Sequence, residues 1–579
     1  MIGCHRQILR ILSVLTLAIG LTEPGLASAV GHLTPRVTIV LEPEAPNPDG
    51  MVPGLKVTIR SEGESVKAGQ AILRMPRVAG NVATAANAME DFSVADSKGP
   101  VPLTIRDDGE GDLRRWIAGR AVEGPFVVHY HVAIISGINP RGGGAPFELR
   151  SEGGGFSGAL NAFAPLPDTE TPQRVSLKWN FSAFGKDAVG LSSFGFGDVD
   201  SPEAIPVVKL SHAFFMGGRL GQYPTQPGPQ GFFGAWQGAT PFDAPALLQW
   251  TEGLYGHYRQ FFGKTETAPF GVFLRPRPKN SGGNVAVLSG FVGTYGPQTD
   301  PETIKPILAH EMVHVFVGGL DGLGESPAQS WYSEGMADFY SRAFLLRYGL
   351  ISHDQFIQKI NAAAARYYTN PAIGAPNEDI PRLFWDDPGI SVLPYDRGSF
   401  YFATVDEEVR KATNGAKSLD DLVLAMLDRR AHGVLADTAA WRSLVRQAVG
   451  QKGVDEFDAM LSGGVVEVPS DAFGACFART TVPLPRYELG FDRKILSEHE
   501  RIVRGVIPGS AAEKAGVRNG DKLLSPVGQA SLLNGEALLN LKIGRGAEVT
   551  TITYLPRGEP INVHQWVRTT TSEDLNCAR

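Results

Sequence analysis

The ten residues Leu308–Val317, "LAHEMVHVFV", restrict what this chain can fold into more than any other stretch. His310 and His314 stand four apart in an apolar run, and on a helix such a pair points the same way, so both imidazoles reach one ion. Glu311 projects beside the same position. Twenty residues after His314 a second apolar helical run, "WYSEGMADFYSRAF", carries Glu334 and Asp338, again four apart on one face. The Gly- and Pro-containing "GGLDGLGESPAQ" between them reads as a loop that lets the two helices pack side by side, with Glu325 exposed in it. A carboxylate such as Glu334, buried in an apolar helix, needs a partner or a metal.

That pattern suits tetrahedral zinc, which in catalytic sites takes three protein ligands and keeps a fourth position open. With 12 histidines in the chain, H-E-x-x-H arises by composition in roughly one chain in a hundred. The two downstream carboxylates make the combined pattern far rarer. The expected ligands of one Zn2+ are His310, His314 and Glu334, with Glu311 left free to move protons. Asp338 is placed to accept a hydrogen bond from the non-coordinating nitrogen of His310, which fixes its tautomer.

At 579 residues the chain is too long for one core and predicts a multidomain protein. From 30 to 235, short runs such as "RVTIVLEP", "LKVTIRS", "FVVHYHVAII" and "RVSLKWNF", separated by Gly and Pro clusters, read as strands of a β-rich N-terminal half. The stretches "PRGGGAPFELRSEGGGF" and "FMGGRLGQYPTQPGPQGFFG" read as punctuation, and His129, His131 and His212 as core or surface residues. From 236 to 480 the spacing is mainly helical, interrupted by "FGVFLRPRP" and "NVAVLSGFVGTYG", which predict a small sheet beside the helices. From 484 to 570 a separate small unit of strands follows, with a helix expected near "GEALLNLKI".

The first 29 residues have the form of a signal peptide: Arg6 and Arg10, the apolar "ILSVLTLAIGL", then small residues at Ala27–Ala29. The expected location is exported, periplasmic or secreted, with no membrane span after cleavage. The mature chain then keeps two cysteines, Cys476 and Cys577, which an exported compartment permits to pair. A net charge of −7 and the lack of a long basic run argue against nucleic acid as a partner.

"HEMVH" followed by "SEGMADFY" resembles the gluzincin (thermolysin-like) metallopeptidases, and "LPYDRGSFYFATVDEEVR" resembles the Tyr-x-(Lys/Arg)-Gly segment of their aminopeptidase branches. By that resemblance Tyr395 stabilises the tetrahedral intermediate. "YELGF", "IVRGVIPGSAAEKAGVRNGDKLL" and "VTTITYLPRGEP" resemble an α+β PDZ domain. In that comparison Leu489, Gly490 and Phe491 form the loop that captures a peptide carboxylate while the peptide adds a strand. Together these features resemble the glycyl aminopeptidase family, gluzincins with a C-terminal PDZ domain. One departure stands out. Aminopeptidases of this clan carry a glutamate shortly before the zinc helix that holds the substrate's amine, whereas "LSGFVGTYGP", residues 288–297, has no acidic residue.

The expected function is zinc-dependent hydrolysis of peptides by an aminopeptidase-like enzyme. The alternatives are a gluzincin endopeptidase, or an exported PDZ scaffold that binds peptides and whose metal site is inactive or structural.

Overall fold

Alternation of apolar and polar residues builds the N-terminal half. In the strand Arg36–Pro43, Val37, Ile39 and Leu41 are buried while their neighbours are partly exposed, the period of two that a pleated strand imposes. This strand lies inside a seven-stranded sheet, antiparallel to Gly54–Ser61 and parallel to Arg174–Trp179, so that Ile39 faces Ile59 on one side and Leu177 on the other. A four-stranded sheet around Ala71–Pro76 and Leu113–Ala118 and a five-stranded sheet around Gly155–Ala159 and Phe214–Gly218 complete this half. All three sheets feed one core that holds Ile39, Ile59, Leu73, Trp116 and Phe156. The computed structural model describes residues 34–570 except 64, 110–111, 135–144, 227, 229–230, 264–267, 278–283 and 323–326. The expected signal peptide, Glu325 and Cys577 therefore lie outside the described residues.

A second five-stranded sheet joins this half to the helices. Its order is Leu220–Tyr223, Phe232–Gln237, Phe270–Pro276, Gly290–Tyr295 and Val285–Val287, with the three central strands parallel and the two edges antiparallel. Successive residues serve opposite faces: Phe233, Phe273 and Val292 pack toward Phe214 and Met216 of the N-terminal half, while Phe232, Val272 and Phe291 face the helical core. The sheet predicted before the motif is thus present, but it also recruits strands from the stretch read as punctuation. Glycine there serves close packing: a Cβ on Gly221 would lie 1.9 Å from the Trp236 ring. This sheet consequently begins at Leu220, short of the expected boundary at 235.

The helical part runs from Ala244 to Leu461 and surrounds a core rich in aromatic residues, including Tyr258, Trp331, Phe344, Phe402 and Trp441. After it the strand Phe477–Tyr487 pairs antiparallel with Arg557–Arg568, from Phe477 opposite Arg568 to Tyr487 opposite Arg557. This ribbon belongs with the helices: Trp566 is buried among them, and its backbone N–H and C=O both bond the Asn361 side chain. Cys476, at the ribbon's start, is buried and disulfide-bonded.

Between the two ribbon strands the chain forms a small module with its own core of Leu489, Phe491, Ile495, Val517, Leu541, Ile543 and Tyr554. One expectation is corrected here. The helix expected near "GEALLNLKI" is only the single turn Ala530–Leu533 before it, and Leu539–Arg545 is a strand whose buried Leu539, Leu541 and Ile543 alternate with more exposed residues. Directly after Phe491 the chain turns into the 3-10 helix Arg493–Ser497. Among the described residues no helix is long and apolar enough to cross a membrane.

Candidate metal centre

The motif lies in the last turns of the helix Pro301–Val317. Asp300 caps its start, accepting from the Glu302 N–H at 3.0 Å, with Pro301 at the first helical position. Leu308, Ala309, Met312 and Val313 bury the helix against the core, which leaves His310 and His314 on the face toward the helix Ser330–Arg347. A third helix, Leu393–Ala412, crosses the second at a contact only glycine permits. A Cβ on Gly335 would come within 2.6 Å of Gly398 Cα, and one on Gly398 within 2.3 Å of the Trp331 carbonyl oxygen. This approach brings the start of the third helix, with Tyr395, to the site.

His310 Nε2, His314 Nε2 and Glu334 Oε2 form a triangle with 3.2 Å on each side. Ligand atoms on a tetrahedral zinc, at bond lengths of 2.0–2.2 Å, stand about 3.3–3.5 Å apart. The donor set and its spacing therefore fit zinc, and among the described residues this is the one group of His, Cys, Asp or Glu side chains so arranged. Nδ1 of His310 meets Asp338 Oδ1 at 2.9 Å, which leaves Nε2 as the ring's ligand atom. Asp338 is held in turn by Arg342, whose Nη1 also donates to Ser399 Oγ at 3.2 Å.

The electrostatics follow from burial and pairing. For His310, burial disfavours the charged ring, but hydrogen bonds to Asp338 and Glu334 outweigh it and push the pKa up to about 10. Burial also raises Glu334, yet the nearby His314 and His310 hold it down at about 2. Glu311 goes the other way: burial raises its carboxyl above the usual range, more than the two histidines and the Ala286 N–H lower it. That amide belongs to the edge strand Val285–Val287, so Glu311 spans the motif helix and the sheet. The Tyr395 ring stacks on His310 with centroids 5.8 Å apart and planes at 19°, and its phenol bonds Glu334. Burial first, and the carboxylates second, push that phenol well above its ordinary value.

The structure thus gathers His310, Glu311, His314, Glu334, Asp338 and Tyr395 in one place. Leu489, Gly490 and Phe491 pack in the core of the C-terminal module instead. His129 bonds Thr58, His131 lies beside Glu90, and His212 meets the Val208 carbonyl, all outside the site. Sequence reasoning missed Arg342, although it follows Asp338 by four residues on the same helix and was legible by that spacing. It also missed Arg366, whose Nε donates at 2.7 Å to the buried Asp396 beside Tyr395, and the Ala286 amide. A pair 30 residues apart and a backbone donor on a neighbouring strand leave no trace in local spacing.

The sheet-rich N-terminal half joined to a helical part is an arrangement shared with solved aminopeptidase N-like proteins. An aminopeptidase N family protein from Idiomarina loihiensis superposes with a TM-score of 0.67 over 93% of this chain and 99% of that one, at 12% identity. A mutant M1 zinc metallopeptidase from Deinococcus radiodurans, solved with a Tyr-Ser-Ala substrate, gives 0.50 over 75% of this chain and 94% of that one, at 14% identity. At such identities the likeness is one of fold. The family model of the M61 glycyl aminopeptidases matches residues 325–377, the stretch that carries Glu334 and Asp338. No curated protein matches the chain by sequence.

Proposed function

We propose that the chain is an exported zinc peptidase, aminopeptidase-like in architecture, that hydrolyses peptide bonds at the centre built by His310, His314 and Glu334. The observation that carries this reading is the 3.2 Å triangle of two imidazole nitrogens and one carboxylate oxygen, with a further buried carboxylate, Glu311, beside it and outside the triangle. The family-model match and the shared fold support it. Zinc, when bound there, polarises the scissile carbonyl and brings the pKa of water toward about 7. Glu311 accepts the proton of the attacking water as the new C–O bond forms, then delivers it to the amine nitrogen as the C–N bond breaks. Burial raises its carboxyl above the usual range, which favours proton uptake from the water. Tyr395 donates its phenolic hydrogen to the developing oxyanion, a contact worth about 10²–10³ in rate. Asp338 keeps the His310 ring in the tautomer and orientation that present Nε2.

Endopeptidase action in the same site is a second reading, favoured by one observation. Neither the edge strand Val285–Val287, which reaches Glu311, nor residues 288–297 offer a carboxylate to a substrate's free amine. Profiling a peptide library by mass spectrometry, with and without chelator, separates the two: stepwise loss of N-terminal residues supports the aminopeptidase, internal cuts the endopeptidase. Glu311→Gln should retain stoichiometric zinc and lose about 10²–10⁴ in rate. Persistence of full activity in that variant would sink the mechanism.

A further inference from the structure

The segment leading into the tyrosine helix is gripped by the C-terminal module. Asp387, 6% exposed, divides its carboxylate: Oδ1 accepts the Gly389 N–H at 2.9 Å and caps the short helix Pro388–Ser391, while Oδ2 accepts Arg493 Nη1 at 2.8 Å. Arg501 donates to Asp386 Oδ1 at 3.2 Å, and Gln529 Nε2 to Ser391 Oγ at 2.6 Å. Val392, 3% exposed, belongs to the module's own core with Leu489, Phe491, Ile495 and Leu532. The grip is two-sided: Arg493 and Ile495 come from the 3-10 helix after the "ELGF" loop, Gln529 and Leu532 from the turn that holds Ala530–Leu533. Val392 is also the N-cap residue of Leu393–Ala412, where no side chain caps the helix, and Tyr395 stands three residues on. With no side-chain cap, the start of that helix is held from the module's side by this packing, in addition to the crossing at Gly335 and Gly398.

We propose that the module takes the chain's own segment Asp386–Val392 as an internal ligand, and that Arg493, acting through Asp387, is a positioning residue for Tyr395. The kinetic part rests on the reading of Tyr395 as oxyanion donor; the clasp itself does not. An engaged segment leaves the module's role as a brace for the site in place of a receptor for foreign C-termini.

The test uses the full zinc-loaded chain and compares wild type with Arg493→Ala, Arg493→Lys, Tyr395→Phe and the Arg493→Ala/Tyr395→Phe pair. A small misplacement of a site group costs up to about 10²-fold. Arg493→Ala should lower kcat about tenfold with KM and zinc content little changed, Lys should restore most of it, and the loss should vanish in the Tyr395→Phe background. Amide hydrogen exchange supplies a readout independent of activity: residues 388–396 should exchange faster in Arg493→Ala while the motif helix keeps its protection. Unchanged exchange there, or an equal kcat loss with Phe at 395, overturns the proposal. Faster exchange in a chain whose wild type cleaves no peptide keeps the clasp and removes the peptidase reading. Should Arg493→Ala not fold, Gln529→Ala, which removes only the Ser391 contact, replaces it under the same criteria.

Discussion

Glu311 and Glu334 are both buried glutamates on facing helices, and their surroundings drive them in opposite directions. Two histidines hold Glu334 at about 2, so it stays a carboxylate as a metal ligand must be, whereas burial lifts Glu311 above the usual carboxylate range. Asp338 works one step further out, between His310 and Arg342. Replacing it with Asn keeps the shape and removes the charge, so zinc affinity measured by competition with a chromophoric chelator should fall about 10–100-fold. An unchanged affinity would show that His310 needs no such partner. That His310, His314, Glu334 and Asp338 come together was legible because helical spacing lines up the pairs 310/314 and 334/338, four apart, with Glu311 adjacent to the first. Tyr395 was reachable through family resemblance alone, since what places it is a helix crossing at Gly335 and Gly398 that no local pattern announces.

Among the elements, strands in the C-terminal module were the least legible. "ALLNLKI" reads as a helix former by residue type, yet Leu539, Leu541 and Ile543 bury alternate positions against the module's core, and tertiary packing decides in favour of the strand. Gly-rich strands such as Leu220–Tyr223 were lost for the opposite reason: glycine signals a loop unless a large ring is known to lie against it. One ion pair ties the module together. Asp521, 1% exposed, accepts from Arg545 Nε at 2.7 Å and Nη2 at 2.8 Å. Burial opposes its charge, but Arg545 and the Arg518 amide prevail and lower its pKa. A carboxyl lowered in the folded state contributes stability that is present above the ordinary carboxylate pKa and lost as pH falls below about 4. The module's stability should therefore fall as pH drops below about 4, and Asp521→Ala should lower its unfolding free energy by about 1–3 kcal/mol at pH 7 while flattening that dependence. Melts followed by circular dichroism or by exchange of residues 501–545 check both statements; a mutant that keeps the same acid slope refutes them.

At the scale of the whole molecule, the candidate metal centre joins three helices of the main core through His310, His314, Glu334 and, by stacking, Tyr395. A ligand that binds only the folded chain stabilises it by about 2.7 kcal/mol at a hundredfold excess over Kd. Exhaustive dialysis against a chelator should accordingly lower the Tm of the helical part and restore it on adding zinc, in a scan where the C-terminal module's own transition stays put. A Tm indifferent to zinc would contradict a site that spans these helices.

The paired strands Phe477–Tyr487 and Arg557–Arg568 make the small module an insertion nested within the helical part, not a unit appended to its end. Removing everything after residue 480 would strip Trp566 from its place beside Phe473 and leave Asn361 without the backbone it serves, so a dead truncated chain would say little about the module. The informative excision is internal: a short turn joining Tyr487 to Arg557, which keeps both ends of the ribbon and the aromatic seam they close.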